Sequence, residues 1–135
     1  MQYMALNILE YEELSMPNDT IPCNVIDFEN GGSEKLKTIS ESIGSQEAFI
    51  KSRRLNVTIS KLNDKKEMSL IVDKKKGDIT LSEFDNTLKE VLWICEDLDI
   101  YSLAFINIEE LGLDRDEIIS SIQKIFDGKC IEVYI

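Results

Sequence analysis

Histidine is absent from all 135 residues. That removes the usual general base near neutral pH and the commonest zinc ligand. Proline occurs twice and glycine six times, too seldom for a flexible linker or a fibrous repeat. No internal repeat or low-complexity segment is visible either. Cysteine is scarce: Cys23, Cys95 and Cys130 are odd in number, far apart and each set in an apolar run. They are expected to be buried thiols of a reducing compartment, and neither a disulfide frame nor a metal site. No stretch approaches the roughly 18 apolar residues of a membrane span. Met1-Gln2-Tyr3-Met4 opens no basic and then apolar leader. The expectation is an intracellular protein of cytoplasm or nucleus with no membrane contact.

Positive charge is also in short supply. Fifteen Lys and Arg face 26 Asp and Glu, for a net charge of −11. A broad basic face is excluded, and with it direct nucleic-acid binding of the electrostatic kind. The cations that exist are gathered between Lys51 and Lys76: Lys51, Arg53, Arg54, Lys61, Lys65, Lys66, Lys74, Lys75 and Lys76. Such a run is ordinarily a solvated hairpin and turn. Its sharper reading is a basic spot that meets an acidic partner or a phosphate.

The apolar content, 43%, is that of a globular chain, and 135 residues is the usual size of one domain. The residues read in order as a mixed α/β fold. Ala5–Leu9 and Ile21–Ile26 predict two strands, and Ser33–Ile43 a helix with Leu36, Ile39 and Ile43 inward. Leu55–Ser60 and Met68–Val72 predict a hairpin, with one face of the first strand in water. A helix beginning at Ser82-Glu83-Phe84-Asp85 carries Phe84, Leu88, Val91, Leu92, Cys95 and Leu98 as its core stripe, with Trp93 at its flank. Ser102–Ile108 predicts a buried strand, and Glu109–Leu113 a polar loop. A last helix follows, with Asp114 as its cap and Glu117 closing a capping box. Gly128 ends that helix, and Cys130–Ile135 is the final strand. The expected architecture is one domain over residues 1–135, a mixed sheet with helices on its faces.

The residues from Leu55 to Ile135 resemble the C-terminal part of a macrodomain. The nearest branch is that of the small single-domain terminal ADP-ribose protein glycohydrolases. The likeness is carried by Val57-Thr58-Ile59-Ser60-Lys61-Leu62, by Ser69-Leu70-Ile71-Val72-Asp73-Lys74-Lys75 and by the helix near Ser82. It continues in Ser102-Leu103-Ala104-Phe105, Ile122-Gln123-Lys124-Ile125-Phe126 and Ile131-Glu132-Val133-Tyr134. Upstream, Ser45-Gln46-Glu47-Ala48-Phe49 and Asp19-Thr20-Ile21-Pro22-Cys23 are collinear with it. The resemblance implies a macrodomain-like sheet with two glycine-rich phosphate loops, an adenine-binding acidic residue, and a Lys and an Asp for hydrolysis.

On this sequence the adenine position falls at or beside Glu12. The first phosphate loop falls on Gly31-Gly32-Ser33-Glu34, and the second on Asn107-Ile108-Glu109-Glu110-Leu111-Gly112. Carboxylates stand where small residues are required for close backbone approach to phosphate. At about 4 Å two like charges repel by about 4 kcal/mol at an effective dielectric of 20. The catalytic Lys position falls on Asp73, one residue from Lys74. The catalytic Asp position falls near Leu111, with Asp114 close by. The expectation is a diverged, catalytically inactive macrodomain-like protein, a pseudoenzyme acting as a protein-interaction module. Its partner would carry a basic surface, or the chain would self-associate. The alternative is binding of ADP-ribose or another nucleotide-type ligand through Glu12, Asn24, Gly31, Gly32, Asn107 and Gly112. Residual hydrolysis would then use Lys74 as nucleophile and Asp114 as its acid/base partner. Mimicry of nucleic acid by so acidic a chain is a further reading. No cofactor or metal is implied.

Overall fold

A computed structural model describes residues 8–9, 17–29, 53–62 and 65–135. Expectations for the first strand's early residues, for Glu12, Gly31, Gly32 and Glu34, and for the helix over 33–43 lie outside the described residues.

The fold is a mixed α/β arrangement. Its strands are β1 (Ile8–Leu9), β2 (Ile21–Asp27), β3 (Leu55–Leu62), β4 (Lys65–Val72), β5 (Ser102–Ile106) and β6 (Glu132–Tyr134). Helix α1 spans Leu81–Asp97 and α2 spans Arg115–Phe126. The described strands form one sheet in the order β1-β6-β5-β2-β4-β3. Only the β3/β4 hairpin is antiparallel, and β1, the two-residue edge, pairs in parallel with β6.

The hairpin is longer than the alternation predicts, because pairing runs out to Leu62↔Lys65. Pro22 is accommodated in central β2 because the ladder to β4 begins only at Cys23↔Met68. A missing N–H therefore costs nothing on that side.

From β4 the chain crosses through α1 to β5, and from β5 through α2 to β6. Both crossovers move the same way along the sheet. Right-handed connections then place both helices on one face. Lys124 Nζ on α2 accordingly reaches Asp85 Oδ2 on α1 at 2.8 Å. Phe84, Leu88, Val91 and Cys95 of α1 and Ile118, Ile122 and Phe126 of α2 meet the alternate residues Val25, Leu70, Leu103, Phe105 and Val133 of the sheet in one buried cluster.

The start of α1 is firmly specified. Thr80 Oγ1 accepts from the Glu83 N–H at 3.2 Å, and Glu83 Oε1 accepts from the Thr80 N–H at 3.2 Å. This reciprocal box fixes the helix just ahead of the Ser82 start expected from composition. Asp114 does occupy the cap position of α2, but its side chain makes no capping hydrogen bond. The box expected with Glu117 is not formed. Cys23 and Cys95 are buried, as expected, whereas Cys130 is exposed in the turn before β6. Burial pushes the Cys95 thiol up to about 12, and the Cys23 thiol up as well, with a smaller push from Cys95 beside it. Neither supplies a thiolate nucleophile.

Candidate functional site

Between the neighbours β5 and β2 the chain changes direction. β5 hands over to β6 on one side, and β2 leads to the β3/β4 hairpin on the other. In open sheets with parallel central strands, the crevice outside the carboxyl ends at such a point is where ligands bind. Here it is bounded by the ends of β2, β4 and β5.

Each of these ends turns sharply. After β2, the Glu29 N–H donates to Asp27 Oδ1 at 3.3 Å. After β4, Asp73 caps a short 3-10 turn, Lys74–Lys76, by accepting from the Lys75 N–H at 3.2 Å. After β5, Asn107 adopts a left-handed conformation, φ 61°. The polar loop expected over Glu109–Leu113 begins instead as a 3-10 turn, Ile108–Leu111, with Ile108 and Leu111 buried. Gly112, φ 69°, ends it. Burying the two apolar residues of that turn anchors it on the core and leaves Glu109 and Glu110 at the surface.

Of the residues named from sequence, the strand ends bring together Asn24, Asn107 and Lys74. Asn107 Nδ2 donates to Asn24 Oδ1 at 2.8 Å, bridging β5 to β2 across the direction change. Asp114, proposed as Lys74's partner, is instead an exposed residue at the head of α2. The carboxylate that meets Lys74 is Glu110, whose Oε2 accepts from Lys74 Nζ at 2.8 Å. Lys75 Nζ lies 2.6 Å from Glu29 Oε1 on the loop after β2. Lys76 Nζ donates to the Arg53 carbonyl at 3.4 Å and lies 3.8 Å from Asp73 Oδ2. Glu110, which sequence reasoning treated as an obstacle, thus serves as a counter-ion, and so does Glu29, which it passed over. They lie 36 and 46 positions from their lysines, so only the sheet order could have paired them.

Among the described residues, much of the basic run is therefore taken up by internal partners. Arg53 pairs with Glu90 at 2.8 Å, and Arg54 makes two contacts to Glu83, at 2.6 and 3.0 Å. Lys66 Nζ donates to the Leu98 carbonyl at 3.4 Å, at the C-terminal end of α1.

Charge state follows from these contacts. The hydrogen bond that Lys74 donates to Glu110 holds it above the ordinary lysine value, against a smaller opposite pull from burial, and Glu110 and Asp27 add their attraction. Lys75 is raised in the same way by Glu29. A lysine nucleophile needs its amine free at neutral pH, and both lysines here are held as ammonium ions. Among the described residues no cluster of three or more Cys, Asp or Glu could hold a metal ion. A hollow of about 290 Å³ lies along α2 beside the first residue of α1, lined by Leu81, Asp116, Glu117, Ser120, Ser121 and Lys124. Its lysine is already paired with Asp85, so it offers an anion no free cation. Among the described residues no helix is long and apolar enough to cross a membrane.

No family model matches the chain. No curated protein matches it either.

Proposed function

We propose that this chain is a macrodomain-like protein that no longer hydrolyses ADP-ribosyl bonds and serves as a protein-interaction module. The observation that carries the reading is the 2.8 Å contact between Lys74 and Glu110. It supports the reading because the lysine that hydrolysis would use as nucleophile meets a carboxylate that favours its charged form. The macrodomain-like part of the reading is supported by the order of elements. The hairpin, the Lys-rich turn, the helix, and the closing strand, helix and strand follow one another as that resemblance implies.

The interaction part is supported by the surface of α1. Trp93 is 67% exposed there, and Tyr101 just beyond the helix is 58% exposed. Glu96, Asp97 and Asp99 are exposed between them in the sequence. The last turn of α1 carries no basic residue, so its carboxylates sit at the negative end of the helix dipole, where they reduce stability. A partner with a basic surface would relieve that repulsion, since complementary charge orients and speeds association.

Calorimetric titration with ADP-ribose separates the readings. No heat at about 100 μM protein is expected; dissociation constants near 1 μM correspond to about 8 kcal/mol and would be plain in such a titration. Micromolar binding would overturn the inactive reading and favour the nucleotide-ligand alternative. That alternative has one feature on its side, the Asn24–Asn107 bridge of exposed amides at the direction change. The interaction reading predicts a protein partner, or a second copy, recovered by crosslinking in low salt and lost as salt rises. A chain that stays monomeric and partnerless at every salt concentration would sink it.

A further inference from the structure

We propose that the last turns of α1, with Trp93, Glu96 and Asp97, form a docking site for an arginine-bearing segment of a protein partner. The guanidinium lies on the indole face and is held by the two carboxylates. This inference rests on the interaction reading and names the chemistry of the partner. The contact lies at the amino ends of the strands, because α1 leaves the carboxyl end of β4 and leads to the start of β5. That is the opposite end of the sheet from the crevice at Asn24, Asn107 and Lys74.

Three observations carry it. The first is the aromatic. Trp93 is the one tryptophan of the chain. It is 67% exposed on a helix whose opposite side, with Phe84, Leu88, Val91 and Cys95, is buried in the core. Among side chains, tryptophan offers a cation the most favourable ring face. The second is spacing. Glu96 and Asp97 are both exposed and follow Trp93 by three and four residues, the separations at which helical side chains are surface neighbours. Side chains on a helix also lean toward its amino end, so both carboxylates incline over the turn that carries Trp93.

The third is charge left unanswered. Earlier on α1 each paired carboxylate has a cation from this chain: Glu83 has Arg54 at 2.6 Å, Asp85 has Lys124 at 2.8 Å and Glu90 has Arg53 at 2.8 Å. Beyond Glu90 the pattern stops. Among the described residues neither Glu96 nor Asp97 has an ion-pair partner. Two cations approach this end. Lys89 lies one turn ahead of Trp93 on the helix, and Lys66 Nζ donates to the Leu98 carbonyl at 3.4 Å. Lys66 therefore serves the backbone end of the helix and leaves the side-chain carboxylates open. Arginine suits them better than lysine, because a planar guanidinium can stack on the indole and donate to carboxylates in the same pose, whereas an ammonium is a point charge.

The test is titration of a hexaarginine peptide into the full chain in low salt, followed by the fluorescence of Trp93 and by calorimetry. With one tryptophan in the chain, the emission reports on this site alone. Hexaarginine is expected to change that emission and to bind about threefold more tightly than hexalysine. Trp93→Leu keeps an apolar side chain but loses the ring, and is expected to weaken binding about fivefold in calorimetry. The double variant E96Q/D97N is expected to weaken it about tenfold. A matched variant, D116N/E117Q, removes the same charge from the exposed first turn of α2, at the other end of the helix layer, and is expected to bind as wild type does. All the substituted residues are exposed, and circular dichroism checks that each variant is folded. Equal loss in the two double variants would overturn the proposal, since attraction to the net charge of −11 would then account for the binding. So would an emission that does not respond, or equal affinity for the two peptides. Failure on these grounds, with a protein partner still crosslinked in low salt, would leave the interaction reading standing on another surface. Failure of both would take that reading down as well.

Discussion

Both faces of the sheet carry buried residues, yet these differ in chemistry. Toward α1 and α2, the strands present Cys23, Val25, Met68, Leu70, Val72, Leu103, Phe105 and Val133, all buried and all apolar. The residues that alternate with these point the other way. They include Ser69, Ile71, Ser102, Ala104 and Tyr134, with Asn56 and Thr58 on β3, and all are buried too. Thr20 and Ser102 share a hydrogen bond of 2.7 Å on that side. Thr58 Oγ1 and Ser69 Oγ have no hydrogen-bond partner among the described residues. The first face is held by non-directional burial, whose worth grows with area. The second trades part of that for hydroxyls and amides that must be hydrogen-bonded to be neutral in cost. Stability should therefore be concentrated on the helix side.

The largest expected effect is a cavity on the helix side. Phe84 is fully buried on α1 within the main cluster. Phe84→Ala should destabilise the protein by about 3–5 kcal/mol, read as a shift in the urea midpoint at unchanged slope. A loss under about 1 kcal/mol would mean that this face is not the principal core, and the contrast between the faces would fail.

A smaller effect is expected from acid. Burial acts to raise both Glu83 and Asp85. For Glu83 it is outweighed by the Thr80 N–H and the Arg54 guanidinium, for Asp85 chiefly by Lys124, and both carboxyls end below their ordinary values. A carboxylate lowered in the folded state stabilises above its unfolded pKa, about 4, and loses that contribution as pH falls through the folded value. Melting temperature should thus fall below about pH 4, and Glu83→Gln should flatten the slope. An unchanged slope in Glu83→Gln would show that charges elsewhere govern the acid response.

The same contrast explains what was legible in the sequence. The helix-side pattern is readable because period 3.6 in α1 and period 2 in β2 and β5 both arise from one apolar contact. Phe84, Leu88, Val91 and Cys95 lie inward as that spacing requires. The expectation of a wet face on β3 fails. Alternation of polarity records side-chain chemistry, not exposure, and Asn56 and Thr58 are covered despite being polar. The site was legible in part. Asn24, Asn107 and Lys74 lie at the strand ends, but Asp114 does not meet Lys74. Strand order alone brings Glu110 to it, and no local pattern encodes that order. The capping boxes divide in the same way. Thr80 and Glu83 form one, whereas Asp114 and Glu117, of the same spacing, do not, because a box needs both side chains turned inward and the spacing supplies only the opportunity.

The smallest effect, and the sharpest test of the second face, comes from the unpaired hydroxyls. Thr58 and Ser69 are direct cross-strand partners in the hairpin, so their side chains leave the sheet on the same side. A threonine and a serine so placed commonly bond to each other, but here neither hydroxyl has a partner among the described residues. A buried hydroxyl left unpaired costs about 1–3 kcal/mol of desolvation. Removing both at nearly constant shape, with Thr58→Val and Ser69→Ala together, should leave stability unchanged or raise it by up to about 1 kcal/mol. The two sites touch, so the singles need not add, and the double variant must be measured beside both. A gain places the polar character of this face outside the needs of folding. A loss above about 1 kcal/mol would mean that the hydroxyls are satisfied in solution, and that the second face is held by hydrogen bonds as firmly as the first is by burial.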